Sequence, residues 1–338
     1  MTGLRANAVI ERWALATPFT ISRERFDDVA VVLVTLDDGR HRGRGESCPV
    51  GHYGETPDGV LAQVDTMLGA LRAGAAWADI HDAFPPGAAR NAVDCAVWDL
   101  RARQDDTPVW ALLDLPRPER VETVFTISID TPQAMAAAAQ AATDHALLKL
   151  KLGGADDSAR IAAIRAAVPD KRLIADINEG WSPTDFARHM PAMAAAGIEM
   201  VEQPFRAGMD ALLADCDRPL PIGADESCHV AADIAELASL YDVINIKLDK
   251  TGGLTEAVRL LHAAQAAGLD TMVGCMLGTS LAMAPAMLIA PACRFVDLDA
   301  PLLMGCDRVP ALTYRGGWID PPAPGLWGCP FTTETDML

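Results

Sequence analysis

The sequence predicts an α/β protein: a (β/α)8-type barrel with an α+β cap domain built from the N-terminus and the C-terminal tail. Eight short β-rich runs begin at intervals of 21 to 28 residues between positions 123 and 299. This interval fits one strand and one crossover helix, and eight such units close a parallel barrel. Alternating apolar residues before position 48 and a Gly316-Gly317 pair lie outside the repeat. They indicate additional antiparallel strands.

Residues 1–118 are predicted to form an N-terminal α+β capping domain. Val29 to Leu36 is the clearest strand, and the following Asp38-Gly39 pair is a hairpin turn signal. Helical periodicity covers Val60 to Ala73 and Ala88 to Gln104. We therefore expect a small antiparallel sheet with helices packed on it, joined to the barrel by a linker at 114–120.

Residues 119–309 are predicted to form the catalytic barrel. Its strands begin near residues 123, 147, 172, 200, 221, 243, 271 and 295. The alanine-rich segments 132–143, 156–167 and 255–267 have helical composition. The C-terminal segment 310–338 is predicted to return to the cap, with a hairpin at Gly316-Gly317 that folds back on the N-terminal sheet.

Composition excludes several classes of function. The formal charge is -18, from 46 acidic and 28 basic residues, and would repel nucleic acid and anionic membranes. The N-terminus lacks the pattern of a signal peptide, and no run of about 18 apolar residues occurs. Eight cysteines without a C-x-x-C pair indicate reduced thiols, neither a disulfide framework nor a zinc site. We expect a cytoplasmic enzyme for small molecules, with a homo-oligomer expected by analogy with other barrels.

Carboxylates follow three consecutive strands of the predicted barrel: Asp176, Glu202 and Asp225. A single acid at a strand end is commonly a helix cap or a solvated charge. The carboxyl ends of barrel strands, however, meet at one face, where active sites form. Three carboxylates gathered there need a cation, and oxygen ligands favour Mg²⁺, or Mn²⁺, over zinc.

Lysines flank these carboxylates. Lys149 and Lys151 lie on the same side of the strand that begins at Leu147, and Lys247 ends the sixth strand. Because strands two and six are opposite in an eight-stranded ring, we expect Lys151 and Lys247 to face each other across the cavity. Repulsion between neighbouring ammonium groups and partial burial would lower a lysine pKa toward neutrality.

This geometry suits removal of an α-proton from one face of a carboxylate substrate and its return to the other face. The resulting enediolate would be stabilised by a divalent ion and an ammonium group. A Lys-x-Lys pair alone is usually a solvated face of a strand, so the prediction depends on the neighbouring carboxylates.

Motifs along nearly the whole chain resemble the enolase superfamily, in its muconate lactonising subgroup: PPGAARNAVDCAVWDL, KLK, DINEGW, VEQP, ADES and NIKLDKTGG. The resemblance implies an acid/base pair of Lys151 and Lys247, with Lys149 as partner of the substrate carboxylate. It implies a metal-ligand set of Asp176, Glu202 and Asp225. Strand three reads D-I-N instead of the more usual D-A-N, and Ile177 is expected to point away from the cavity. The mandelate racemase branch is less similar, because strand seven ends in Cys275-Met276 instead of a catalytic histidine.

The Asp297-Leu298-Asp299 segment is similar to the D-x-D of dipeptide epimerases, in which paired aspartates receive the free ammonium of the dipeptide. The resemblance implies 1,1-proton transfer at the α-carbon of the C-terminal residue of a dipeptide such as L-Ala-L-Glu. Arg23 and Arg25 lie on a loop that would close over the substrate side chain, where an arginine favours an acidic group. We also predict that Ser128 and Cys275 contact the substrate.

Three alternatives remain open from the sequence. The segments ADESCH and PPAPGLWG also resemble N-acetyl-glutamate racemases, which act on an N-acylated amino acid that has no ammonium group. A cycloisomerase or an o-succinylbenzoate synthase-type lyase would use the same enediolate. A catalytically silent binding barrel would have to bury many charges without a metal or a substrate, which is costly.

Overall fold

A computed structural model describes residues 3–329. The chain begins with an antiparallel sheet of β1 (Arg5–Thr20), β2 (Arg25–Asp37) and β3 (Arg42–Ser47), in that order. The turn between β2 and β3 is closed by Asp38, whose Oδ1 accepts hydrogen bonds from the backbone N–H groups of Arg40 and His41 at 2.8 and 2.7 Å. This confirms the predicted hairpin.

Four helices complete the cap: α1 (Pro57–Arg72), α2 (Trp77–Ala83), α3 (Ala88–Gln104) and α4 (Val109–Leu112). The side chain of Thr56 caps α1 by accepting from the backbone N–H of Gly59, and Pro57 occupies the first turn. One face of α3 packs directly on β3, where Gly43 and Gly45 permit close approach of the two backbones. The two long helices that the periodicity predicts are confirmed.

The barrel follows as an eight-stranded parallel sheet whose strands lie in the order in which they occur along the chain. Backbone N–H of Val124 donates to Val296 O at 2.9 Å, which joins the last strand to the start of the first. All eight predicted strands are confirmed. The strands of this part of the chain are β4 (Val121–Glu122), β5 (Phe125–Ile127), β6 (Leu147–Lys151), β7 (Arg172–Asp176), β8 (Ile198–Glu202), β9 (Ile222–Ala224), β10 (Val243–Lys247), β11 (Asp270–Gly274) and β12 (Phe295–Val296).

Alternation along the strands builds the barrel interior in layers. Seven buried apolar side chains from successive strand regions form one cluster: Val124, Leu147, Ile174, Met200, Val243, Met272 and Phe295. Side chains two residues further along each strand point to the same side. In β6, β7 and β8 these are Lys149, Asp176 and Glu202. The apolar layer is therefore the floor on which a polar layer rests.

The helices of the barrel are α5 (Pro132–Ala141), α6 (Asp157–Ala167), α7 (Pro183–Ala195), α8 (Ile234–Leu237), α9 (Leu248–Thr251), α10 (Leu254–Ala266), α11 (Ser280–Ala286) and α12 (Ala300–Leu303). The three alanine-rich segments form α5, α6 and α10, as predicted. Between β8 and β9 the crossover is a 3-10 helix, Asp210–Asp215. Among the helices within residues 3–329, none combines the length and the apolar character needed to cross a membrane.

The C-terminal hairpin exists but its predicted partner is wrong. β13 (Tyr314–Arg315) and β14 (Trp318–Ile319) pair across Gly316-Gly317, whose φ angles are 59° and 77°. β14 then pairs with β4 instead of the N-terminal sheet, because Ile319 is buried in the barrel core. The residues that follow β14 reach the cap.

Hydrogen bonds join the residues after β14 to the cap. Arg44 Nη2 donates to Leu326 O at 2.8 Å, and Trp327 Nε1 donates to Cys95 O at 3.0 Å. The predicted segment 310–338 extends beyond Cys329, so its last residues lie outside the described part of the chain. The domain division at 118/119 and 309/310 stays a prediction.

Asp249 connects the cap to the barrel. Its Oδ1 accepts from Cys48 N and from Asn91 Nδ2, both at 2.9 Å. Asp249 lies in α9, directly after the strand that ends in Lys247, whereas Cys48 and Asn91 belong to the cap. This carboxylate therefore fixes the end of β3 and the helix α3 relative to the mouth of the barrel.

Substitution of Gly45 by alanine should separate β3 from α3. A Cβ atom at this position would overlap Ala92 O and lie 2.7 Å from Ala96 N, both of which are backbone atoms. Such overpacking costs about 1–3 kcal/mol of unfolding free energy. Gly69→Ala is the matched control, because nothing lies within 4 Å of its Cβ position within α1. Urea denaturation should show a lower midpoint for Gly45→Ala and an unchanged or higher one for Gly69→Ala.

Asp249→Asn should change the pH dependence of stability. Burial raises the pKa of Asp249 to about 7, despite the hydrogen bonds from Cys48 and Asn91. The folded state thus holds a proton that the unfolded state releases near pH 4. The wild-type unfolding free energy should fall as pH rises from about 4 to 7, by about 1 kcal/mol per pH unit from this group. The variant lacks this loss, so its stability relative to wild type should increase over that range in urea titrations. A difference that does not vary with pH would contradict the assignment.

Candidate active site

The three predicted carboxylates lie together on the polar layer of the barrel. Asp176 and Glu202 end β7 and β8, each two residues after a side chain of the apolar floor, and Asp225 directly follows β9. One oxygen from each lies within 4.8 Å of one from the others. All three side chains are buried. The convergence arises because parallel strands of similar length end at the same level.

Two cavity lysines contact this group of carboxylates, one at Asp176 and the other at Asp225. Lys151 Nζ lies 2.6 Å from Asp176 Oδ2, and Lys247 Nζ lies 2.6 Å from Asp225 Oδ2. Both lysines line the cavity between the cap and the barrel, which has a volume of about 240 Å³. The two amines therefore approach the carboxylates from opposite flanks of the group, Lys151 from β6 and Lys247 from β10.

The pKa values of the three acids shift in different directions. Burial alone would raise the pKa of Asp176 and Asp225, but the adjacent ammonium groups lower both below the usual range. Burial and the charge of Asp176 instead raise the pKa of Glu202 to about 7. Glu202 therefore takes up a proton more readily than an exposed glutamate, and a cation beside it would favour its ionised form.

The donor atoms fit a divalent ion. The buried oxygens Glu202 Oε2 and Asp225 Oδ1 accept no hydrogen bond, although the ammonium groups of Lys149 and Lys250 lie 2.7 Å from them. Three carboxylates with no sulfur or imidazole among them favour Mg²⁺ or Mn²⁺. These residues can thus hold such an ion, and their role as ligands stays a prediction.

The predicted lowering of the lysine pKa by repulsion within the Lys149/Lys151 pair is wrong for Lys149, and the pKa of Lys247 is raised as well. Burial does oppose the charged form of Lys149, but Asp176, Asp297 and Glu202 raise its pKa well above the usual value. Burial also disfavours the charged form of Lys247, but the adjacent carboxylate of Asp225 outweighs burial and raises the pKa of this lysine. Attraction to carboxylates outweighs the repulsion between amines. A cation that takes over the carboxylate charge would remove this stabilisation of the ammonium form.

Lys149 does not line the cavity. Its Nζ lies 3.0 Å from Asp176 Oδ2, 2.7 Å from Glu202 Oε2 and 2.7 Å from Asp297 Oδ2, and its side chain is only 1 % exposed. The lysine therefore binds the carboxylates from within the barrel. Its predicted contact with a substrate carboxylate stays a prediction.

Asp297 and Asp299 form a second acidic group in the cavity, together with Cys275. Asp299 Oδ2 accepts from Thr126 N at 2.6 Å, and burial together with the charge of Asp297 raises the pKa of Asp299 to about 7. Burial likewise raises the pKa of the Cys275 thiol. Since Lys149 contacts Asp297 and Glu202 at once, the two acidic groups are separated by a single ammonium. A cationic group in the cavity would stabilise the ionised form of Asp299.

The structure brings Arg23 into the cavity and leaves Arg25 and Ser128 out. Arg23 Nη2 donates to Glu226 Oε1 at 2.8 Å, and Nη1 donates to Asn178 O at 2.9 Å. Arg25 instead begins β2, with a side chain that is 62 % exposed and 3.6 Å from Asp27. Ser128 accepts from Thr20 N through its Oγ and does not line the cavity. The predicted roles of Arg25 and Ser128 in substrate binding are therefore not supported by their positions.

Sequence reasoning missed several residues of the cavity wall. His52 lies 2.9 Å from Glu179 Oε2, and Tyr53 packs edge-on against His229. Thr126 also lines the cavity, and its position two residues after Val124 on the first barrel strand is a signal that could have identified it. By contrast, no periodicity in the sequence shows that the loop carrying His52 lies over the barrel.

Family comparisons divide the chain in two matched regions. Residues 4–114 match the mandelate racemase / muconate lactonizing enzyme N-terminal domain. Residues 133–326 match the enolase C-terminal domain-like family. Together the matches cover the cap helices and sheet and all but the first strand of the barrel, β5, which lies between the two matched regions.

Two characterised relatives have similar sequences over nearly their whole length. The chain is 42% identical over 309 residues to the L-Ala-D/L-Glu epimerase of Escherichia coli (strain K12), which covers 91% of this chain and 96% of the relative. It is 40% identical over 306 residues to the N-acetyl-D-glutamate racemase of Pseudoalteromonas sp, covering 90% of this chain and 97% of the relative.

Solved structures agree with the observed fold. An enolase family member from Agrobacterium tumefaciens with homology to dipeptide epimerases, containing sodium and L-Ala-L-Glu, superimposes with a TM-score of 0.93 and 45% identity. That match covers 96% of this chain and 100% of the other. The dipeptide epimerase from Enterococcus faecalis V583, complexed with Mg and L-Leu-L-Tyr, gives a TM-score of 0.85 and 30% identity, covering 96% and 98%.

Mg²⁺ or Mn²⁺ should raise the unfolding temperature of the protein, since the carboxylates come together only in the folded state. At an ion concentration 100 times the dissociation constant, the gain is about 2.7 kcal/mol. Glu202→Gln should weaken binding of the ion at least about tenfold. Glu256→Gln is the control, because this carboxylate accepts from Ala231 N outside the cavity. An ion-dependent shift that persists unchanged in Glu202→Gln would exclude this acid as a ligand.

Proposed function

The chain belongs to the mandelate racemase / muconate lactonizing enzyme family of the enolase superfamily, and from this premise we propose that it is a dipeptide epimerase. As an isomerase that depends on a divalent metal, it would move the α-proton of the C-terminal residue of a dipeptide such as L-Ala-L-Glu. The observation that carries the proposal is the pair of cavity lysines, Lys151 and Lys247, on opposite flanks of three buried carboxylates.

The charges of the cavity support a dipeptide with a free amino group. Asp297 and Asp299 supply negative charge beside the site, and the raised pKa of Asp299 means that an ammonium partner would stabilise its ionised form. Arg23 supplies positive charge in the cavity, with a side chain that is 29% exposed. An acidic substrate side chain such as that of glutamate suits this arginine. The relative from Agrobacterium tumefaciens that contains L-Ala-L-Glu supports the same choice.

In the proposed mechanism the two lysines divide the proton transfer. One amine removes the α-proton from one face of the carbon, and the opposite ammonium donates a proton to the other face. The roles exchange when the other epimer is the substrate. A divalent ion held by Asp176, Glu202 and Asp225 would supply positive charge for the substrate carboxylate as the α-carbon loses its proton. Lys149, buried among these acids, adds a fixed positive charge in a region of low dielectric constant.

A second candidate function is racemisation of an N-acylated amino acid. The 40% identity with an N-acetyl-D-glutamate racemase favours it. Such a substrate keeps the α-carboxylate and the acidic side chain but has no ammonium for Asp297 and Asp299. The two functions therefore differ in what the second acidic group binds.

Isotope exchange tests the proposed function. The protein with Mg²⁺ should incorporate deuterium from D₂O at the α-carbon of the C-terminal residue of L-Ala-L-Glu and produce the L,D epimer. Mass spectrometry and chiral chromatography measure the two events. Exchange confined to N-acetyl-glutamate would favour the racemase, and exchange with neither substrate would refute the proposal for both classes.

Asp299→Asn should separate the two substrates kinetically. Loss of one charged partner of the dipeptide ammonium costs about 1.5–3 kcal/mol, so KM for L-Ala-L-Glu should rise about 10- to 100-fold. Because Asp299 contacts none of the cavity lysines, kcat should change much less. Any activity toward N-acetyl-glutamate should keep its KM. An unchanged KM for the dipeptide would mean that its ammonium binds elsewhere.

The cellular setting is part of the proposal. All eight cysteines are free, which supports a reducing compartment such as the cytoplasm. The homo-oligomeric state stays a prediction from analogy with other barrels.

A further inference from the structure

Lys250 is a fully buried lysine behind the third carboxylate of the site. It lies in α9, three residues after Lys247, and its side chain is 0% exposed. Its Nζ lies 2.7 Å from Asp225 Oδ1 and donates to three backbone carbonyls, those of Asp225, Cys228 and Asn245, the last two at 2.9 and 3.1 Å. Lys250 does not line the cavity. It therefore cannot meet a substrate directly.

Two lysines divide the two oxygens of Asp225 between them. Lys247 Nζ lies 2.6 Å from Oδ2 and belongs to the cavity wall, whereas Lys250 contacts Oδ1 from inside the protein. The contact of Lys250 thus lies on the side of Asp225 away from the cavity wall. Lys250 can therefore fix the orientation of this carboxylate without occupying the cavity.

We propose that Lys250 is a positioning residue for Asp225, whose contact at Oδ1 would orient this carboxylate toward a divalent ion held by the site. The inference rests on the proposed function only in that the three carboxylates bind such an ion. The carbonyl contacts extend the same role to the backbone. They tie the segment that follows β9, at Asp225 and Cys228, to β10 at Asn245, whose Nδ2 in turn donates to Glu202 Oε1 at 2.6 Å.

The buried charge itself argues for this role. An ammonium group removed from water is costly unless oxygens surround it, and an apolar side chain of similar size would fill the same volume more cheaply. Electrostatics alone predicts that a positive charge beside a cation site weakens cation binding. Removal of Lys250 would then tighten binding. If Lys250 positions Asp225, its removal should instead weaken cation binding. The direction of the change in cation affinity therefore distinguishes electrostatic repulsion from positioning.

The test is the affinity of Lys250→Met for Mn²⁺, measured by the loss of the free-ion signal in electron paramagnetic resonance, without substrate. Loss of a residue that orients a metal ligand typically costs 10- to 100-fold in affinity, and we expect a weakening in that range. Lys171→Met is the matched control. Its Nζ also donates to backbone carbonyls, those of Ala142 and His145, before the start of β7 at the other end of the barrel. This variant should bind Mn²⁺ as wild type does, even if its unfolding temperature falls.

Unchanged or tighter binding of Mn²⁺ by a folded Lys250→Met variant would overturn the inference. If this variant does not fold, Lys250→Gln is measured in the same way. If neither Lys250→Met nor Lys250→Gln unfolds cooperatively, while Lys171→Met does, the positioning role is also overturned. Lys250 would then serve the stability of the fold alone. Absence of Mn²⁺ binding by the wild-type protein would instead count against the proposed function.

Discussion

Mutual repulsion of Asp176, Glu202 and Asp225 is the constraint on which the rest of the site depends. Three carboxylates whose oxygens lie within 4.8 Å of one another, all buried, are unfavourable without nearby positive charge. Four lysines supply it from different directions: Lys149, Lys151, Lys247 and Lys250. Even so, the pKa of Glu202 rises to about 7. A further cation beside Glu202 would stabilise its ionised form, and the proposed chemistry uses such a cation.

Well-packed structure lies on both sides of the polar layer that holds the three carboxylates. The apolar floor keeps water out below, and the cap covers the carboxylates above. Strained backbone occurs at this level, since Asn178, Glu179 and Gln203 have φ angles of 44°, 65° and 36°. Non-glycine residues adopt such angles at a cost, and they persist where surrounding contacts enforce them. Here the carbonyl of Asn178 accepts from both Ser22 Oγ and Arg23 Nη1, so the strained turn is also where the cap loop meets the barrel.

Local patterns in the sequence predict the strands, the main helices and the residues that end each barrel strand. This succeeds because alternation and spacing fix which side chains share a face, as for Lys149 and Lys151 on β6. The pKa values of side chains and the positions of loop residues are harder to predict from the sequence, because they depend on contacts with residues that are distant in the chain. The repulsion expected between Lys149 and Lys151 gave the wrong direction for the pKa of Lys149, because the attraction of Asp176, Asp297 and Glu202 is stronger. Likewise, adjacent positions in the loop do not reveal that Arg23 enters the cavity while Arg25 joins an exposed strand.

The central claim is that Lys151 and Lys247 act on opposite faces of one carbon. Its most direct test is α-proton exchange in D₂O by Lys151→Ala and Lys247→Ala, each measured separately with L-Ala-L-Glu and L-Ala-D-Glu. The account predicts that each variant loses epimerisation but keeps exchange with one epimer, a different one for each variant. Exchange of both epimers by either variant, or retention of the same epimer by both, would contradict it.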